Sequence, residues 1–416
     1  MKKTILGVLM TGALAGGAAA AVPEDSKVFT PYFNMTMMEA GYVPSQGNIF
    51  SGGNIDTQVG MLTKLSPKDQ LFGLYDFNYD GQGFAPQDTK QFTDRSMTHS
   101  FNFEYRRALS GKFRLRPGVS FSHDYSRTGA NETWKTGLYN MNSFGLQLAG
   151  DYLFDFEKNG IVTLTVLTKN VKFPNYTDLL SEFNSVNGQQ AGVNGGLEDQ
   201  RLTQVSLRPM WNKFFGGITY TQQDYKNQKV VDLNSAGDTA GYGDTKQKDK
   251  TTMLDAGFRH KIWIFELSPM VSYTVHRSNQ NYIRFKSLGA TSTDLTSGSS
   301  DVTFIARNYD YNETTLSVPV DLDITGKWAI GGAVSVTSRH YTSRPRRDAL
   351  NDYIMGTKQD NLMTTLTGSI RKRINEIATV RLFYSLVVAS SNCKFEQYMP
   401  YNYTGNSFGL AYQLSY

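Results

Sequence analysis

Arg106, Arg114, Arg116, Arg208 and Arg259 recur on the polar face of segments whose other face is apolar. In Phe113-Arg-Leu115-Arg-Pro117-Gly-Val119-Ser-Phe121 the odd positions carry apolar side chains, and the arginines share the even face with Gly118 and Ser120. Guanidinium groups held on such a face can select anions by charge and forked hydrogen bonding, but they supply no nucleophile. Glu104, Asp321 and Asp323 also fall on polar faces and could neutralise them, so a cationic zone and a set of carboxylate-paired arginines stand as two readings of equal weight. His99, His123, His260, His276 and His340 are dispersed without metal-ligand spacing, so no metal site is expected. His123-Asp124 and His340 could do acid–base chemistry only beside a positioned nucleophile, and none is identifiable. No enzyme activity is therefore expected. No glycine-rich phosphate cradle follows a strand, and no cofactor is expected. The sole cysteine, Cys393, can form no internal disulfide.

The elements that carry these residues alternate with period two. Ile55, Thr57, Val59, Met61 and Thr63 lead to Ser66-Pro67-Lys68-Asp69, and Leu71, Gly73, Tyr75, Phe77 and Tyr79 lead away. Similar pairs flank short turns near residues 110, 158, 212, 264, 326 and 373. Long polar segments lie between them, over roughly 39–53, 80–96, 125–142, 170–200, 225–249, 278–311, 341–359 and 391–404. Fifteen connections imply about sixteen strands, with fourteen as the alternative because Pro31 interrupts the first segment, Val28 to Met38. Phe265-Glu-Leu267-Ser-Pro269-Met-Val271-Ser-Tyr273 parallels the Phe113 segment at an equivalent place after a short turn.

The chain opens with Lys2 and Lys3, an apolar run to about Ala18, and small residues at Ala19 and Ala21. This is the pattern of a secretory signal cleaved after residue 21. The hydrophobic fraction is 39%, and no further run is long enough for a helical span, which leaves barrel strands open because their alternation hides in a polar average. The 24 Tyr, 25 Phe and 38 Gly suit β structure, and a net charge of +5 is too small to suggest nucleic acid. Residues 22–27 read as a short N-terminal periplasmic segment and 28–416 as one domain.

The chain closes on Phe408, Leu410, Tyr412, Leu414 and Tyr416, which alternate with small and polar residues up to a final aromatic. With the signal and the alternation of short and long connections, this terminus resembles bacterial, Gram-negative-type outer-membrane β-barrel proteins of porin-like architecture. No particular family is identified. The resemblance implies an all-β, antiparallel up-and-down transmembrane barrel with short periplasmic turns and long extracellular loops. It also implies that the assembly machinery of that membrane reads the C-terminal strand. Trp211, Trp263 and Trp328 lie beside short turns, as a periplasmic aromatic belt would. The inward residues would be Asp56, Gln58, Asn102, Glu104, Arg106, Arg114, Arg116, Arg208, Asp255, Arg259, Asp321, Asp323 and Arg381 among others, lining an aqueous channel.

The expected function is passive diffusion of small hydrophilic solutes with a preference for anions. The expected partners are outer-membrane lipids, lipopolysaccharide, the assembly machinery and the solutes, and a homo-oligomer is open. Alternatives are a transporter for hydrophobic compounds, a closed surface barrel whose loops mediate adhesion, and, last, a membrane hydrolase. Arg344-Pro345-Arg346-Arg347 is expected in a long loop, free to touch lipopolysaccharide or to be solvated. A helical turn is expected over Asp178 to Phe183 in another loop, where a constriction could form.

Overall fold

The computed structural model describes residues 28–45, 50–81, 95–128, 133–177, 195–236, 240–285, 302–395 and 401–416. The proposed signal, residues 22–27 and the expected helical turn at Asp178 to Phe183 lie outside them. The strands are β1 (Phe29–Pro44), β2 (Phe50–Lys64), β3 (Asp69–Gly81), β4 (Arg95–Ala108), β5 (Phe113–Arg127), β6 (Met141–Asp155), β7 (Gly160–Lys172), β8 (Gln200–Trp211), β9 (Phe214–Leu233) and β10 (Ala240–Phe258). They continue as β11 (His260–Ile262), β12 (Phe265–Leu267), β13 (Met270–Ser278), β14 (Tyr282–Phe285), β15 (Val302–Ile305), β16 (Tyr311–Asp323), β17 (Trp328–Arg347), β18 (Tyr353–Arg373), β19 (Ala378–Ser391) and β20 (Tyr403–Ser415). β11 prolongs β10 and β13 prolongs β12 in unbroken register, while β14 and β15 pair only with each other. The wall is therefore a closed barrel of sixteen antiparallel strands.

Closure is made by the two ends of the chain. β1 pairs with β20 from Asn34↔Ser415 to Pro44↔Gly405. At the bottom of this ladder Phe33 N donates to Tyr416 O at 3.0 Å, and Tyr416 N donates back to Phe33 O at 2.8 Å. Alternate residues of a strand present their N–H groups to the same neighbour, so Pro31 turns its donorless nitrogen past Tyr416, where this ladder has ended. That is why a proline fits in β1, and the strand, paired on both sides, runs through to Pro44 rather than stopping at Met38.

Glycines let aromatic rings close the seam. The Phe408 ring covers Gly41 on the outer side, where a Cβ would stand 3.1 Å from it. The Phe383 ring lies 2.6 Å from where a Cβ on Gly409 would be, and that Cβ would also collide with the Glu39 carbonyl oxygen. Aromatic cover of strand glycines of this kind pins register.

The outward face is apolar along the wall: Leu148, Leu164, Leu254, Leu316, Leu366, Leu382 and Leu410 are all exposed, Leu382 to 57%. A band this continuous would be an aggregation surface in water and is the surface a bilayer solvates.

Two expectations are corrected by strand length. Residues 39–53, 225–249 and 341–359, expected as long loops, are largely strand. β9, β10, β17 and β18 run for 20, 19, 20 and 21 residues, whereas a tilted membrane crossing takes about 9–11. These strands rise well beyond the apolar band on the side away from the short turns. Arg344-Pro345-Arg346-Arg347 accordingly belongs to β17, with Pro345 fully buried, rather than to a loop. In the outer extensions both faces meet water or polar neighbours, so the apolar signal that marks a strand fades there.

Replacing Gly409 with Val should open the seam, at a cost of roughly 1–3 kcal/mol for forced overpacking. Urea titration of the barrel refolded in lipid vesicles should show a lower midpoint for this variant. An unchanged midpoint would mean that the β1–β20 seam tolerates a side chain there.

Candidate functional site

Register places the polar residues of neighbouring strands side by side on the inner face, and charge sorts itself locally. On β4, β5 and β6, Glu104, Arg106, Arg116 and Asp151 form one cluster. Arg106 Nε lies 2.6 Å from Glu104 Oε1. Arg116 reaches Glu104 Oε2 at 3.2 Å and Asp151 at 2.9 Å. Thr163 Oγ1 donates to Asp151 Oδ1 at 2.9 Å, and the Arg106 guanidinium sits 4.6 Å over the Phe72 ring. The side chain of Asp151 is only 4% exposed, so its charge depends on Arg116.

The other expected arginines join separate pairs. Arg208 of β8 meets Asp255 of β10 at 3.0 Å, and Arg259, at the joint of β10 and β11, meets Glu266 of β12 at 3.2 Å. Asp321 pairs with Arg371 of β18, and Asp323 with Lys261 of β11 at 3.1 Å. Asp321 and Asp323 thus serve none of the five arginines. They stand on β16, far around the wall from β4, β5 and β8, and Arg259, only two strands away, is taken by Glu266. Arg114 makes no ion pair among the described residues. Neither does Arg381, whose nearest ring is Phe383 at 5.7 Å.

Sequence reasoning missed Asp151, Arg371 and the Arg339–Glu313 pair, which closes at 2.6 Å with the guanidinium 4.3 Å over Tyr311. All of them sit at inward positions of alternating segments, so alternation could have found them. Their pairing needed the register.

Nearer the outer opening the face turns acidic. Tyr225 OH donates to Asp249 Oδ2 at 3.2 Å, and Asp249 is buried. Glu198, in the connection that precedes β8, lies beside them. Burial pushes its carboxyl up to about 7, and the Asp249 charge adds to the shift. Lower on the wall, Gln58 Nε2 donates to Asp76 Oδ2 at 2.9 Å and Asn54 Nδ2 to Asp80 Oδ1 at 2.7 Å.

The histidines do not assemble an acid–base site. His123 and Asp124 are successive strand residues and point to opposite faces. His123 Nδ1 meets Asn142 Oδ1 at 2.7 Å, Tyr75 OH meets His99 Nδ1 at 2.8 Å, and His340 is paired with Asp360. The described residues contain no group of three or more His, Cys, Asp or Glu able to hold a metal ion.

Trp211, Trp263 and Trp328 stand exposed at the short-turn end. Lys158 Nζ lies 5.6 Å over the Trp211 ring and Lys372 Nζ 5.0 Å over Trp328. On β20, Phe408, Leu410, Tyr412 and Leu414 occupy the outward face of the seam, with Met37↔Tyr412 and Met35↔Leu414 in register, and Tyr416 follows directly after the strand. Cys393 is fully buried near the outer rim.

No protein-family model matches the chain, and no curated protein matches its sequence. Solved structures similar to it include OmpT of Vibrio cholerae in a trimer form, at 10% identity and a TM-score of 0.46 over 94% of this chain and 100% of that one. A Salmonella typhi OmpF complex with daunomycin matches at 11% identity and 0.45, over 92% and 97%. CdiB from Acinetobacter baumannii matches at 10% and 0.46, over 93% and 60%. Likeness at this level concerns the fold alone.

Replacing Arg116 with Ser leaves Asp151 buried without its cation and should cost about 3 kcal/mol of stability. Adding Asp151→Asn should restore much of the loss in the same vesicle titration. An Arg116→Ser barrel as stable as the parent would show that the cluster is not coupled. Glu198 makes a second expectation. A carboxyl raised by folding favours the native state in its protonated form, so its contribution is present at low pH and is lost as pH rises from its ordinary 4.5 through about 7. Stability should fall across that window in the parent and not in Glu198→Gln.

Proposed function

We propose that the barrel resides in a bacterial outer membrane and forms a water-filled channel for passive diffusion of small hydrophilic solutes. The observation that carries this reading is the inner face itself. Around the wall it bears ion-paired and amide-bonded side chains, while the opposite face of the same strands bears leucine, valine and aromatic residues. A filled, closed barrel of this strand number would need an apolar interior, whereas sixteen strands with a polar inner face suit an aqueous lumen. The outer-membrane lipids, including lipopolysaccharide, and the assembly machinery that reads a C-terminal strand are the partners this placement implies, and solutes pass without covalent chemistry.

Selectivity follows from the charges that pairing leaves over. Arg114 stands just after the short turn that ends at Lys112, and Arg381 just after the short turn that ends at Ile377, so both lie at the same inner rim. Asp76 and Asp80 lie farther up β3, and Glu198 and Asp249 near the outer opening. An ion entering from outside meets carboxylates first and the two arginines last. The narrow cationic rim supplies the proposed preference for anions.

Planar-bilayer recording of the purified protein should show stepwise conductance. Its reversal potential in a salt gradient should shift toward cations when Arg114 and Arg381 are both replaced by Ser. No conductance would overturn the channel and favour a closed surface barrel. Conductance with unchanged reversal potential would remove the rim as the source of selectivity.

A further inference from the structure

The connection between β13 and β16 carries the small hairpin of β14 and β15, in which Arg284 pairs with Thr303. This connection bridges two of the tall outer hairpins. Toward β9, Gln280 Nε2 donates to Lys229 O at 2.9 Å and Asn281 Nδ2 to Val231 O at 2.7 Å. Toward β17, Arg344 Nε donates to Asn308 O at 3.1 Å. Arg284 is held between them, 5% exposed, with its guanidinium 5.0 Å over the Tyr353 ring at the start of β18.

Part of its hydrogen-bonding capacity is not used. Arg284 Nε and Nη2 are buried and bond to nothing among the described residues. Its ion-pair carboxylate, Asp352, stands 3.9 Å from Nη2, beyond hydrogen-bond reach. Arg347 lies 5.8 Å over the same Tyr353 ring and is partly satisfied, by Asn351 Oδ1 at 3.1 Å and Tyr401 OH at 3.4 Å. Asp348 is occupied by the backbone N–H groups of Leu350 and Asp352. Burial and Tyr282 push the Tyr353 hydroxyl up to about 12 against the pull of Arg347, Arg284 and Arg344, so it stays protonated and able to donate.

A buried guanidinium with free donors costs several kcal/mol and persists where something else supplies the acceptor. We propose that Arg284 and Arg347, with Tyr353, form a site on the outer side of the barrel for a phosphate monoester. A dianion with three terminal oxygens can take the forked donors of more than one arginine, which a single carboxylate cannot do equally. The group can arrive on a membrane glycolipid headgroup or on a phosphorylated solute at the channel mouth. The site is independent of conduction and can exist in a closed barrel.

The test uses the full-length barrel purified in detergent and titrated calorimetrically with glucose 6-phosphate, glucose and succinate. Binding of glucose 6-phosphate alone is expected, weakened about tenfold or more in Arg284→Met, as loss of a charged hydrogen-bonding partner predicts. In phosphate-free buffer Arg284→Met should be at least as stable as the parent, because it removes a buried guanidinium with unmet hydrogen-bond donors. A merely structural arginine would give the opposite sign. Arg347→Met provides the same binding readout should the first variant fail to fold. Reconstitution with phosphorylated against dephosphorylated lipid A separates the sources: protection by the phosphorylated lipid assigns the headgroup, and no difference assigns the solute. The proposal is overturned if glucose 6-phosphate does not bind, if succinate binds equally, or if the variants bind as the parent does.

Discussion

Every backbone N–H and C=O that a strand carries into a bilayer has to find its partner on a neighbouring strand, because lipid offers none. In this barrel that constraint falls hardest on the ladder between β1 and β20, the wall pairing whose strands lie at opposite ends of the chain. It governs where prolines are allowed. Pro117, Pro209, Pro269 and Pro319 all lie within five residues of a short turn, and each turns its donorless nitrogen toward an interruption in a ladder. The interruptions at these four prolines therefore gather at one rim, where headgroups and water can satisfy what the neighbouring strand leaves open.

Closure also fixes the register that makes the inner face coherent. Once each strand is aligned with the next, Arg116 of β5 stands between Glu104 of β4 and Asp151 of β6, and Arg208 faces Asp255 two strands away. These contacts hold the wall's polar side together without an apolar core. Among the charges that remain unpaired are two arginines at the inner rim and carboxylates farther out. Fold and the proposed selectivity are thus set by the same alignment.

Much of this was legible in the amino-acid order. The outward alternation of Phe101, Phe103 and Tyr105, or of Phe408 to Tyr416, and the spacing of the short turns are direct consequences of period two in a bilayer. That signal stops where lipid stops. The outer parts of β9, β10, β17 and β18, Arg344 to Arg347 among them, therefore read as loop although they are strand. Pairing was less legible than position. Glu104 could be seen as a partner for nearby arginines, but that Asp321 would meet Arg371 depends on β16, β17 and β18 lying in order with no register shift between those residues. Arg284 carried no signal at all, since its neighbours come from a separate small sheet and a distant hairpin.

The account rests most directly on the adjacency of β1 and β20, and cross-linking measures it. Met38 and Ala411 are opposed across the seam. They lie at a position where the strands do not exchange hydrogen bonds, which favours disulfide geometry. With Cys393 replaced by Ser, a Met38→Cys, Ala411→Cys protein folded into lipid vesicles should form an intramolecular disulfide nearly quantitatively on mild oxidation. A chain that folds in those vesicles but stays uncross-linked, or links only between molecules, would contradict the closed barrel.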